Sequence, residues 1–220
     1  TVNVDHVVIN GADDDSLDMD EGFRGRVQYA IVRQGGEDGD HGIESDNNGD
    51  DFAATPKTHP MIANLTIMGN SGGGGTAAVK HREGFEGEVY NSVYIDDYNA
   101  PLNTAGSFDP TRGCIDLDDD IGGETAPTYS NVAVRCYAGL YDTDSDDESG
   151  VSSLANGVSF DETMNVAESS WMANSSVTAG NISGVTGSGI ATAALQSGSY
   201  MGAVQDANDD WWDGWTVHLR

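Results

Sequence analysis

Short alternations of apolar and polar residues recur along the chain in two kinds. The first kind reads Val4-Asp5-His6-Val7-Val8-Ile9, Val27-Gln28-Tyr29-Ala30-Ile31-Val32, Ile62-Ala63-Asn64-Leu65-Thr66-Ile67, Val89-Tyr90-Asn91-Ser92-Val93-Tyr94 and Ser130-Asn131-Val132-Ala133-Val134. The second reads Leu17-Asp18-Met19-Asp20, Ile43-Glu44-Ser45-Asp46, Val79-Lys80-His81-Arg82 and Ile115-Asp116-Leu117-Asp118. Each is short and fenced by Gly, Asn and Asp, the pattern of brief strands separated by turns. Glu21-Gly22-Phe23-Arg24-Gly25-Arg26-Val27 returns 62 residues later as Glu83-Gly84-Phe85-Glu86-Gly87-Glu88-Val89. A match at fixed offset signals stacked structural units.

Equivalent strands of the first kind start 23, 35 and 27 residues apart. Variable turns on a constant strand core are what a parallel solenoid produces, because each coil adds one strand to each sheet and insertions leave as loops. A β-sandwich would need antiparallel partners joined by short hairpins. The expected fold is therefore all-β, a parallel β-helix. Val4, Val27, Ile62 and Val89 should form one apolar column, and Leu17, Ile43, Val79 and Ile115 another. A third column holds Asn64, Asn91 and Asn131, with His6 and Tyr29 at the same position in earlier coils. Stacked asparagines there are expected to hydrogen-bond to one another along the axis, a structural role.

The coils are expected over residues 1–140. Residues 141–199 read as an acidic loop, then Ser/Gly-rich loops and irregular final coils, with a few short strands or one short helix around Asp161 to Trp171. Residues 200–220 are dense in aromatics. Every solenoid has an unpaired end to cover, so a C-terminal cap over the last coil is expected there, with a sugar-stacking platform as the other use of the tryptophans.

Charge narrows the partners. Nine Lys and Arg face 37 Asp and Glu, a formal net charge of −28. Such a chain repels phosphate backbones and anionic membrane surfaces, which leaves cations and neutral or cationic glycans. The excess is read either as solubility in a salty exterior or as calcium binding, because hard cations want several oxygen ligands at once. No apolar run reaches transmembrane length. The chain opens inside an apolar, β-branched segment, as expected of a mature or truncated piece of something longer. The only cysteines, Cys114 and Cys136, fit one disulfide in an oxidising compartment, with two buried thiols as the alternative.

Several stretches carry a resemblance: Thr1-Val2-Asn3-Val4, Asp14-Asp15-Ser16-Leu17-Asp18, Glu21-Gly22-Phe23-Arg24-Gly25, Gly39-Asp40-His41-Gly42-Ile43-Glu44, Asp46-Asn47-Asn48-Gly49 and Trp211-Trp212-Asp213-Gly214-Trp215-Thr216. The chain resembles the C-terminal half of exported proteins of marine and other Gram-negative bacteria, in which further β-coils precede this segment. The resemblance covers residues 1 to about 140 and resumes near Tyr200. It implies a right-handed parallel β-helix of pectate-lyase-like architecture, located outside the cell, and it carries no activity.

The outward positions of the second strand kind stack as Asp18, Glu44, Lys80 and Asp116, and beside them Asp20, Asp46, Arg82 and Asp118. Coils about 4.8 Å apart make these a compact charged face. Asp18, Asp20, Glu44 and Asp46 offer oxygen ligands for calcium, with Asp13, Asp14 and Asp15 available to complete the site. Asp116 and Asp118 are a further pair, although Asp116-Leu117-Asp118-Asp119-Asp120 lacks the Gly and Glu of an EF-hand loop. Catalysis would need a base, for which Lys80, Arg82, His81 and His41 are candidates, or paired carboxylates as in glycosidases. The motifs argue against it. Asp40-His41-Gly42 is not the Gly-His-Gly of polygalacturonases, and the glycine run at 72–75 lacks the Lys and Ser/Thr of a phosphate loop. No organic cofactor is expected.

The expected function is thus a calcium-stabilised structural or adhesion-type protein, extracellular or on the outer cell surface. Its open N-terminal coil suits end-to-end self-association into fibres. The alternative is a polysaccharide lyase or glycoside hydrolase, or a glycan binder, acting from the charged face.

Overall fold

Among the described residues fourteen short strands, joined almost entirely in parallel, wind into a parallel β-helix. The structure is a computed structural model, described over residues 2–34, 40–69, 78–95, 113–118, 127–136, 157–167, 169–187 and 194–216. The glycine run at 72–75, Asp119 and Asp120, and the acidic loop at 142–150 lie outside these residues.

The larger sheet has eight strands: β1 (Asn3–Asn10), β3 (Arg26–Arg33), β5 (Met61–Met68), β7 (Glu88–Tyr90), β8 (Val93–Ile95), β10 (Thr128–Ser130), β11 (Val132–Arg135) and β12 (Val158–Phe160). The smaller has four, in the order β2 (Leu17–Met19), β4 (Ile43–Ser45), β6 (Val79–His81) and β9 (Ile115–Leu117). From β1 to β11 the chain alternates between the two sheets, so each of these coils lays a segment on each. Both expected apolar columns are in register: Val4, Val27, Ile62 and Val89 in one sheet, and Leu17, Ile43, Val79 and Ile115 in the other. Their side chains fill the solenoid with Ala30, Val32, Leu65, Ile67, Phe85 and Leu117. Each fully buried aliphatic there is worth about 1.5–3 kcal/mol. The Cys114–Cys136 disulfide lies in the same interior, with a Cα–Cα separation of 5.3 Å.

The third column marks a corner of the backbone. His6, Tyr29, Asn64, Asn91 and Asn131 all have positive φ, between 47° and 58°. One left-handed residue bends the strand and shifts its phase, so Val27 and Ala30, three apart, both face inward. Ile31 then faces outward. Asparagine is common at such corners because it tolerates this conformation better than other side chains. The expected amide ladder along the axis is not what these side chains build. Asn64 Nδ2 donates to the carbonyls of Gly198 (2.9 Å) and Tyr200 (2.8 Å). Asn91 Nδ2 donates to those of Gly180 (2.8 Å) and Gly198 (2.9 Å). Within the sheet, Gln28 Nε2 donates to Asn64 Oδ1 at 3.2 Å.

These bonds reveal where the C-terminal part goes. It runs as a strap over the outer face of the larger sheet, crossing the first four coils instead of covering only the last. Arg26 and Gln28 hold residues 194 and 196, Thr66 Oγ1 accepts from Ala203 N, and His6 meets Trp211 edge-on. Gly198 lies so close that a Cβ there would stand 2.1 Å from Asn64 Oδ1. Trp171, Met201, Ala203, Val204 and Trp212 cover Ile31, Met68, Val93, Ile95 and Ala133. The middle of the larger sheet, β3, β5 and β8, is therefore buried on both faces. Among the described residues the 161–171 region contains no helix; it leads from β12 into the antiparallel pair β13 (Asn165–Val166) and β14 (Ala173–Asn174). Asp161 clamps that region, accepting from Thr163 N and Oγ1, Ser175 Oγ, and Ser176 N and Oγ.

Candidate functional site

The smaller sheet presents the charged face that alternation predicts. Asp18, Glu44, Lys80 and Asp116 stack in register, and Asp20, Asp46, Arg82 and Asp118 follow at the strand ends. The two bases lean in opposite directions. Lys80 Nζ reaches the next coil, 2.9 Å from Asp118 Oδ2 and 3.7 Å from Asp116 Oδ2. Arg82 reaches the preceding one. Its Nε and Nη2 donate to both oxygens of Asp46 (2.8 and 3.1 Å), and Nη2 stands 3.2 Å from Glu44 Oε1.

These pairings decide what the bases can do. Burial alone would lower the Lys80 pKa, but the hydrogen bond to Asp118 and the charges of Asp116 and Asp118 outweigh it and raise the pKa. The hydrogen bond to Asp46 likewise raises Arg82. Neither is poised to accept a proton near neutrality. His81 points the other way, into the solenoid. It is fully buried, stacks on Phe85 with ring centroids 4.6 Å apart, and its Nε2 lies 2.6 Å from Tyr129 Oη. Burial pushes its pKa down to about 3, so it is a neutral core imidazole that substrate cannot reach. The fourth candidate base, His41, is also buried, with its Nδ1 against Asp15 and Asp40.

Asp18, on the first coil, stands among other carboxylates. Burial raises the Asp18 pKa, and Asp20, Asp15, Asp46 and Asp14 raise it further. Just before β2, Asp15 turns toward the second coil. Its Oδ1 accepts from the His41 backbone N–H at 2.8 Å and lies 3.0 Å from His41 Nδ1, while Asp40 Oδ1 lies 3.2 Å from the same nitrogen. Ligand atoms of Asp15, Asp40 and His41 all fall within 4.8 Å of one another. Glu44 hydrogen-bonds Asp15. Burial, that bond and the Asp15 charge push Glu44 up to about 7, against the pull of Arg82. Burial works against the Asp15 charge too, but the hydrogen bonds from His41 and Glu44 leave its pKa lowered. Glu44 thus keeps its proton to higher pH than an ordinary glutamate.

Sequence reading set Asp18, Asp20, Glu44 and Asp46 together as ligands. The fold keeps them adjacent but commits Asp46, and partly Glu44, to Arg82, and it brings Asp15 and His41 in beside Glu44. Asp116 and Asp118 pair with Lys80. One cluster went unnoticed: His59 sits between Glu86 Oε2 and Glu88 Oε1, each at 3.1 Å, with Glu88 also accepting from Tyr90. Glu86 and Glu88 stand where the first copy of the repeat has Arg24 and Arg26, but nothing local placed His59 against them.

No curated protein and no solved structure matches the chain. The family model described as a pectate-lyase-like beta helix domain matches residues 1–216, nearly the whole chain. With its two parallel sheets and stacked columns, the chain belongs to the pectate-lyase-like β-helix domain family.

Proposed function

We propose that this β-helix is a non-catalytic structural or adhesion-type module, working outside the cell or on its surface and stabilised by calcium at the first-coil end of its charged face. The observation that carries this reading is the imbalance along that face. Lys80 and Arg82 are taken up by Asp116, Asp118, Asp46 and Glu44, while Asp18 is surrounded by further carboxylates. A hard cation relieves that repulsion and finds several oxygens in reach. The disulfide suits an oxidising compartment. Among the described residues β1 ends the larger sheet's strand order, so its edge is available to a second copy or to adjoining coils.

The test is a thermal melt with millimolar calcium against EDTA. Calcium bound only by the native state at a hundredfold excess over Kd adds about 2.7 kcal/mol. Replacing Asp18 and Asp46 by Asn should remove the rise in Tm. An equal Tm in calcium and EDTA sinks the calcium part of the reading.

A second reading draws on Glu44 and Asp15. A carboxyl pushed up to about 7 beside an ionised partner is a candidate general acid for glycoside hydrolysis. Reducing-sugar release from neutral glycans that disappears in Glu44→Gln would favour it. A lyase mechanism has less support, because its candidate bases Lys80 and Arg82 are held protonated in ion pairs.

A further inference from the structure

The corner where the first coil stacks on the second brings together the His41 imidazole and the carboxylates of Asp15 and Asp40. We propose that Asp15, Asp40 and His41 bind one divalent transition-metal ion of the zinc class, separately from any calcium on the charged face.

The geometry suits such an ion. Tetrahedral coordination with bonds of about 2.0–2.2 Å spaces donor atoms roughly 3.4 Å apart. His41 Nδ1 stands 3.0 Å from Asp15 Oδ1 and 3.2 Å from Asp40 Oδ1. Widening each spacing by about 0.2–0.4 Å makes room for the ion. One imidazole nitrogen cannot donate at full strength to two carboxylate oxygens at once, whereas a cation among the three satisfies them together.

The ligands are also held in place. The Asp15 and His41 side chains are 8% and 7% exposed, so both are walled in by the fold. The backbones carrying them are tied across the coils by Ser16 N to His41 O (2.9 Å) and by His41 N to Asp15 Oδ1 (2.8 Å). Asp40 is 43% exposed and leaves the ion an approach from solvent. Two carboxylates balance the charge of a divalent ion, and the strongly acidic chain draws cations toward it. Glu44, hydrogen-bonded to Asp15, is a nearby further oxygen.

The imidazole chooses the class of metal. Calcium and magnesium take oxygen ligands, while a site with histidine and carboxylates suits zinc and its neighbours. This separates the proposal from the calcium reading, and either can fail alone.

The experiment is calorimetric titration of EDTA-stripped protein with Zn2+ in a background of millimolar calcium, with Co2+ absorption as a spectroscopic readout. One Zn2+ per chain should bind despite the calcium, and Co2+ should give visible bands of a nitrogen-containing site. His41→Gln should weaken binding at least tenfold, and so should Asp40→Asn, a partly exposed position where the fold is readily kept. His59→Gln and Asp18→Asn should bind as the parent does. Should His41→Gln fail to fold, Asp40→Asn decides. Weak binding of several ions per chain, undiminished affinity in Asp40→Asn, or loss of the site in His59→Gln would each overturn the assignment.

Discussion

Asp161 is the anchor of the C-terminal strap, and neutralising it should loosen the strap in a way that depends on pH. Its buried carboxylate accepts five hydrogen bonds, from Thr163, Ser175 and Ser176. Burial alone would raise its pKa. The backbone bond from Ser176 and the hydroxyls of Thr163, Ser176 and Ser175 more than reverse that and bring it down to about 2. Against an ordinary value of 3.8, a shift near two units corresponds to about 2.5 kcal/mol at most, and to about 1–2 kcal/mol once solvent screening at the sheet edge is allowed for. A carboxyl with depressed folded pKa stabilises above its unfolded pKa and loses that contribution as pH falls through the folded value. Asp161→Asn should therefore cost about 1–2 kcal/mol at pH 7 in urea unfolding. The gap should narrow between pH 4 and pH 2. Trp171 and Trp212 fluorescence would follow the strap while far-ultraviolet circular dichroism follows the coils. A cost that is the same at pH 7 and pH 2.5, or no cost at all, would refute the reasoning.

Three other outcomes follow from the packing and the charges. Trp171 is fully buried between strap and sheet, so Trp171→Ala should cost about 3–5 kcal/mol. Dye binding to newly exposed Ile31, Met68 and Val93 would report it; a Tm within a degree of the parent would contradict the strap packing. Reducing the Cys114–Cys136 bridge, which closes a separation of 22 residues, should lower stability by about 3 kcal/mol, measured by melts with and without reductant. Glu44 has a folded pKa raised to about 7, so it destabilises the fold progressively as pH rises from about 4.5 to 7. In EDTA, Glu44→Gln should then be more stable than the parent by about 1–2 kcal/mol at pH 8, after discounting for partial exposure, and equal to it at pH 4. A less stable variant at pH 8 would show that the Arg82 contact outweighs the desolvation.

Residues in a solenoid meet the same surroundings coil after coil, which is why so much of this fold is legible from alternation alone. Val4, Val27, Ile62 and Val89 pair as their pattern says, and so do Leu17, Ile43, Val79 and Ile115, because parallel stacking puts each residue beside its equivalent in the next coil. The same parity put His81 inside, on the opposite side from Lys80 and Arg82, although its type suggested a base. The corner column was visible as Asn64, Asn91 and Asn131. Its purpose was misread because an asparagine ladder and a left-handed bend leave the same trace in a sequence.

What the amino-acid order determined by itself is the set of short, local, repeated things: strand identity, interior columns, the acidic face and the cysteine pair. What only the tertiary structure decided depends on contacts with no local signal. The strap bonds to the larger sheet join residues 89 to 191 positions apart, and nothing in a Ser/Gly-rich segment says which surface will receive it. Whether Arg82 takes Asp46 or Asp118, and whether His41 meets Asp15, turns on side-chain reach across a coil boundary. Alternation fixes the face on which a charge stands. The choice among neighbours there is made by distances of a few ångströms, which exist only once the coils are stacked.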